Sequence, residues 1–291
     1  IALALAASAQ AGKLNIVTTT DDLAAITREI GSDLAKVQSI CTGNQNPHHL
    51  QARPKYIMMA RSADLWIRTG MDLEIGWEMP VIDGSRNRNI RPGQPGHLDA
   101  SLNIEKLDVP DADMLTRAMG DVHAQGNPHY LTDPLNAKQV AGDIAERLAQ
   151  LDPANADTYR SNAKAFQEKI DRYMQEWSKK MEPLKGQQIV TYHKSWIYFA
   201  ERFGLDIAIE LEPKPGVPPS PAHLTQVMET VRQQNIGLIL QETWYSTKAA
   251  KRVAEATQAR IVVAPISTGG DLAASDYFSL IDLIVERLTE K

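Results

Sequence analysis

Seven histidines carry most of the chemistry open to this chain: His48, His49, His97, His123, His129, His193 and His223. Cys41 is the single cysteine, so neither an internal disulfide nor a Cys-rich metal site can form. Any metal must therefore be held by imidazole and carboxylate. Three of the histidines fall at element boundaries. His48 lies in QNPHH, just past an apolar run ending at Cys41; His129 lies in GNPHYLTDP, before a helix starting at Pro134; His193 follows the apolar run ending at Tyr192. Separations of 81 and 64 residues exclude a local motif, so only the fold can bring them together. If it does, three borderline-soft nitrogen donors with a fourth position for carboxylate or water are what Zn2+ needs. A zinc-dependent hydrolase would use the same set with its fourth position open. His48 and His49 are neighbours on an extended segment and point to opposite sides, so at most one of them can be a ligand. His123, six residues before His129, reads as a surface residue first and as a partner behind the metal ligands second; His97 reads as exposed, and His223 as a first-turn surface residue of a helix.

The elements that would position these residues alternate short β-branched runs with amphipathic helices, the pattern of α/β layers on a mostly parallel sheet. Strands are expected at Leu14–Thr18, Val37–Cys41, Ala63–Ile67, Gln188–Tyr192, Leu205–Ile209, Gly237–Gln241 and Arg260–Pro265. Helices are expected at Asp21–Ile30, capped by Asp21 or Asp22, and at Lys194–Phe203, Pro221–Gln234, Lys248–Thr257 and about Ala274–Leu288. Ligand sites in such sheets form beyond the carboxyl ends of the strands. His48, His193 and Glu242, which follows Gly237–Gln241, all occupy that edge. Between the halves, Ala156, Tyr159, Ala163, Phe166, Ile170, Tyr173, Trp177 and Met181 are spaced 3, 4, 3, 4, 3, 4 and 4, one face of a helix. With Asp152 as a cap, the 28 residues Ala154–Met181 would span about 42 Å, long enough to run along two lobes and stiff enough to limit their relative motion. The expected fold is α/β: two lobes, each a mostly parallel sheet flanked by helices, joined by a single long helix with a metal site in the inter-lobe cleft. Domain bounds follow as 12–150, a linking helix 151–184, and 185–291.

The chain has 291 residues, 43% hydrophobic and 23% charged, which excludes disordered and collagen-like classes. With 31 Lys and Arg against 36 Asp and Glu, the net charge of −5 argues against nucleic acid as a partner. Residues 1–11, IALALAASAQA, read as the remnant of a secretory signal, implying an exported protein in a bacterial periplasm. The Arg-containing stretch Asp83–Gly96 reads as a long exposed loop. Motifs for a metalloprotease helix, a nucleophile elbow, a P-loop or a dinucleotide-binding turn do not occur. TGGD at Thr268–Asp271 is too short for a phosphate loop, and Cys41 reads as a strand-end structural thiol.

Taken in order, LNIVTTTDDLAAITREIG, NPHHLQARP, SADLWIRTGMDLE, GNPHYLTDPLNA, VTYHKSWIYFAERFGL and LILQETWYSTKAAKRVAEAT resemble the zinc and manganese substrate-binding proteins of metal ABC transporters over essentially the whole mature chain. The resemblance implies that His48, His129 and His193 are the first three metal ligands, that the protein is not an enzyme, and that it works as a monomer. It also implies delivery to a membrane permease, with a periplasmic metallochaperone as a second candidate partner. Two departures stand out. The family's late-strand aspartate ligand aligns with Ala264 in IVVAPIS, so the fourth ligand falls to Glu242 first, Asp271 second and water third. The family's long His-rich loop is replaced by the Arg-containing stretch. Three imidazoles favour Zn2+ over Mn2+ or Fe2+. Affinity is expected to fall as pH drops through about 6.5, where protons compete. A binding protein of the same architecture for an iron chelate or corrinoid is the remaining alternative.

Overall fold

In the first half of the chain, β1 (Leu14–Thr20) lies between β2 (Ala35–Cys41) and β3 (Leu65–Arg68), and β4 (His97–Asp99) closes the far edge. The computed structural model describes residues 12–111 and 123–290; the apolar start 1–11 lies outside them. The second half repeats the arrangement with β5 (Gln188–Thr191), β6 (Asp206–Glu210), β7 (Leu238–Glu242) and β8 (Arg260–Ala264), in the order β6-β5-β7-β8. Every named pair is parallel. In each sheet the chain leaves the central strand first to one side and then to the other, which opens a crevice at the carboxyl ends.

Among the described residues the helices are α1 (Asp21–Gly31), α2 (Pro54–Arg61), α3 (Glu78–Ser85), α4 (Pro134–Leu151), α5 (Ala156–Met181), α6 (Ile197–Phe203), α7 (Pro221–Gln233), α8 (Lys248–Thr257) and α9 (Tyr277–Thr289); all follow expected stretches except α2 and α3, which were not expected. The apolar stripe became α5, whose 26 residues span about 39 Å. Tyr159, Ala163, Phe166, Ile170, Trp177 and Met181 are its buried face. Near one end Asn162 donates to the Ile30 carbonyl of α1 at 2.9 Å; near the other the Trp177 indole donates to Asp282 of α9 at 2.8 Å.

Alternation along the strands explains how the lobes join. On β1, Ile16 faces a large core and Val17 a smaller one; on β5 the pair is Ile189 and Val190, and on β7 it is Leu240 and Ile239. The smaller cores belong to one lobe each. The large core runs through both, with α5 and α9 inside it. A continuous apolar interior of this kind resists separation of the lobes. A second joint lies at the cleft, where the buried Asp22 carboxylate accepts the Thr268 N–H at 2.7 Å and the Ser267 hydroxyl at 2.8 Å. Burial pushes its pKa up to about 6 against those hydrogen bonds.

Several local expectations are corrected. Neither Asp21 nor Asp22 caps α1: Thr20 is the N-cap residue, and Asp21 instead accepts the Gly43 N–H at 2.8 Å. Asp152 does not cap α5 but accepts from Asn155 and the Tyr159 hydroxyl. Asp83–Gly96 is not one exposed loop; α3 runs into it, a short turn buries Ile90, and β4 begins just beyond. His97 is therefore buried on β4, its Nδ1 2.9 Å from the Ile90 carbonyl. His223 does lie in the first turn of α7, but it is half-buried and its Nε2 donates to the Glu210 carbonyl at 3.0 Å. Ser220 caps that helix from the His223 N–H, as its place before Pro221 predicts.

Candidate metal centre

His48 is presented by a short 3-10 turn, Pro47–His49, after β2. Asn46 starts the turn by accepting the His48 N–H at 3.0 Å, and Pro47 supplies a fixed φ at the first position. His49 is exposed, so one of the adjacent pair faces inward. His129 is placed by the same device: the Asn127 side chain accepts its N–H at 3.0 Å, while the Tyr130 hydroxyl donates to the Thr69 carbonyl at 2.7 Å and ties the turn to the first sheet. His193 follows β5 directly, and its Nδ1 lies 2.8 Å from Glu212 Oε2.

These three side chains meet. One ring nitrogen from each of His48, His129 and His193 lies within 4.8 Å of the others. His48 Nε2 is 3.2 Å from His129 Nε2. A tetrahedral Zn2+ with ligands at about 2.0–2.1 Å requires nitrogens about 3.3 Å apart, so one pair is already at that spacing. Burial drives the pKa values of His48 and His129 well below the ordinary 6.5, and repulsion among the neighbouring imidazoles adds to the shift. Neutral rings with free lone pairs are the form a metal needs.

Glu242 ends β7 and is fully buried, with the Ser195 hydroxyl and the His193 ring beside its carboxylate. Burial pushes its pKa up to about 7, with the charge of His193 pulling the other way. In the β7–β8 register it sits directly opposite Ala264. Among the described residues the clustered donor set holds the three histidines and no carboxylate. Asp271 is engaged elsewhere, 2.6 Å from Arg287 and accepting the Ala273 N–H at 3.0 Å.

Of two further neighbours, one is ranked wrongly from sequence and the other is missed. His123, expected at the surface, has its ring centroid 5.0 Å from that of His48 and its Nε2 buried. Glu212, buried beside His193, follows β6 as Glu242 ends β7, so the strand-edge rule could have found it; the Pro-rich run around it obscured that position. A cavity of about 290 Å³ adjoins the cluster, with His123, His129, His193, Asn127 and Lys194 in its wall.

A family model described as the zinc-uptake complex component A, periplasmic (ZnuA), matches residues 16–291. Over 149 residues, half of this chain, the sequence is 32% identical to the high-affinity zinc uptake system protein ZnuA of Brucella abortus; the match spans 45% of that protein, about half its length. The iron-binding protein YfeA of Yersinia pestis is 27% identical over 96% of this chain and 86% of its own. The solved structure of the Mn-bound periplasmic metal binding protein from Candidatus Liberibacter asiaticus shares the fold, with a TM-score of 0.78 at 24% identity over 95% of this chain and 98% of that one. Two parallel-sheet lobes, a long connecting helix and a family match over nearly the whole chain lead to one conclusion: the protein belongs to the ZnuA family, whose members are solute-binding components of metal ABC transporters and not enzymes.

Proposed function

We propose that the protein captures Zn2+ in the inter-lobe cleft through His48, His129 and His193, with Glu242 as fourth donor, and delivers it to an ABC permease from the periplasm. The observation that carries this is the convergence of three imidazoles from distant parts of the chain, one pair at zinc-ligand spacing. Three nitrogen donors favour Zn2+ over Mn2+ or Fe2+, which accept more oxygen. Acting as a monomer, with lobes 12–150 and 185–291 about the helix 151–184, the protein would load and release with small relative motion, since α5 lies in a core shared by both lobes.

Glu242 supports the fourth place on energetic grounds. A fully buried carboxylate is costly unless it is protonated or meets a cation. A divalent ion beside it would turn that cost into an attraction. Glu242 stands opposite Ala264 in the β7–β8 register, on the strand next to the position where the resemblance puts the family's aspartate. Elemental analysis of the purified protein, with Zn2+ and Mn2+ in competition, tests the proposal. One retained Zn2+ per chain, displaced poorly by Mn2+, is expected; failure to bind either ion at one equivalent would overturn it.

A further inference from the structure

β6 ends at Glu210, yet its pairing with β5 continues. The Leu211 N–H donates to the Thr191 carbonyl at 2.8 Å and the Glu212 N–H to the Tyr192 carbonyl at 3.1 Å. This extension sets Glu212 alongside His193. Glu212 Oε2 lies 2.8 Å from His193 Nδ1, and the two side chains are only 4% and 5% exposed. The same oxygen accepts the Gly216 N–H at 3.1 Å, so its position is held from the loop side as well.

We propose that Glu212 is a positioning residue for the metal centre, a role that rests on the metal-binding function proposed above. With Nδ1–H donating to Glu212, the imidazole lone pair is left on Nε2, and the ring cannot turn about χ2 without losing a charge-assisted hydrogen bond. His193 is thereby held edge-on to His129, with ring centroids 5.5 Å apart and planes at 90°. The carboxylate also makes His193 a stronger donor, because positive charge gathering on the ring as it binds a dication is stabilised through Nδ1. His48 and His129 are held through their backbone N–H groups instead. His193 is thus the ligand whose ring orientation a single side chain sets. The same carboxylate anchors the loop at Gly216, next to Lys214 and Pro215 of the cavity wall, so the mouth of the cavity and the ligand share one support.

The test compares wild type, Glu212→Ala and Glu212→Gln for Zn2+ affinity, for the visible spectrum of the Co2+-loaded protein, and for metal-free thermal midpoint. Glu212→Ala is expected to weaken Zn2+ binding about 10- to 100-fold and to shift the Co2+ bands. Glu212→Gln, which keeps an oxygen acceptor but no charge, is expected to fall between, and this graded rescue would not arise from a merely structural role. Wild-type Zn2+ affinity and an unchanged Co2+ spectrum in both variants would overturn the proposal. Should Glu212→Ala fail to fold, an unchanged Co2+ spectrum in Glu212→Gln alone would overturn it. Wild-type protein that binds neither ion would instead overturn the metal-binding function, and this role with it.

Discussion

The two lobes are built alike, with the same strand order and one face of each sheet on a shared core, but they treat buried carboxylates in opposite ways. In the first lobe, Glu74 and Glu78 surround the Arg68 guanidinium at 3.6 and 3.0 Å, and Thr19, Thr69 and Trp66 supply further hydrogen bonds. Their charge is spent inside the lobe. In the second lobe, the buried Glu242 has only the Ser195 hydroxyl and the His193 ring to offset its burial, and Glu212 lies against His193 itself. The first lobe thus offers neutral donors, His48 and His129, on turns held by asparagines, while the second brings a histidine flanked by acidic groups. Under the proposed function, a cation arriving in the cleft would gain nitrogen ligands from one side and charge compensation from the other.

The sharpest way to break this contrast is to make the first lobe resemble the second. Replacing Arg68 with Ala strands two buried carboxylates and is expected to lower stability by about 3–5 kcal/mol in urea unfolding. A loss below 1 kcal/mol would show that the first lobe does not depend on internal pairing.

The converse change is Glu242→Gln, expected to stabilise the metal-free protein while weakening Zn2+ binding. The group's pKa rises from 4.5 to about 7 on folding, so its contribution is full below about pH 4.5 and is lost as pH rises through 7. At pH 8 the variant should gain about 1–3 kcal/mol, and the gain should vanish by pH 4.5. Denaturant melts at both pH values check this, and a stability loss at pH 8 would contradict it.

Protons offer a third handle. His48 and His129 are held well below 6.5, so the unfolded chain takes up protons below pH 6.5 that the folded sites refuse. Their contribution to stability is full above pH 6.5 and is lost as pH falls below it. The same depression moves histidine competition for the metal below the ordinary histidine value, so the first loss of Zn2+ affinity should come as pH falls through about 7, where Glu242 takes up a proton, with the two histidines adding to it only at lower pH. A titration by isothermal calorimetry from pH 8 to 5 would show the onset. The smallest effect is expected from Asn46→Ala, which removes one turn-capping bond behind His48 worth about 1 kcal/mol, or about fivefold in Kd for Zn2+.

Much of the architecture was legible because it is periodic. The stripe from Tyr159 to Met181 and the β-branched runs report their burial directly, and strand ends pointed to His48, His193 and Glu242. What stayed hidden depends on spatial pairing. β4 is three residues long, too short for any period to betray it, and so His97 was misplaced. The Asp22 joint to Ser267 and Thr268 spans about 245 positions in sequence, and Arg68 finds its carboxylates only once α3 packs. Glu212 was masked by the prolines after it. The role of each donor toward a metal rests on proximity, which sequence order alone does not contain.

The central claim, that these three imidazoles and one carboxylate form a single Zn2+ site, is tested most directly by zinc-edge X-ray absorption on protein carrying one equivalent of Zn2+. Three imidazole nitrogens and one oxygen donor at about 2.0–2.1 Å are predicted. A shell dominated by five or six oxygens, or one showing fewer than three imidazoles, would contradict the account.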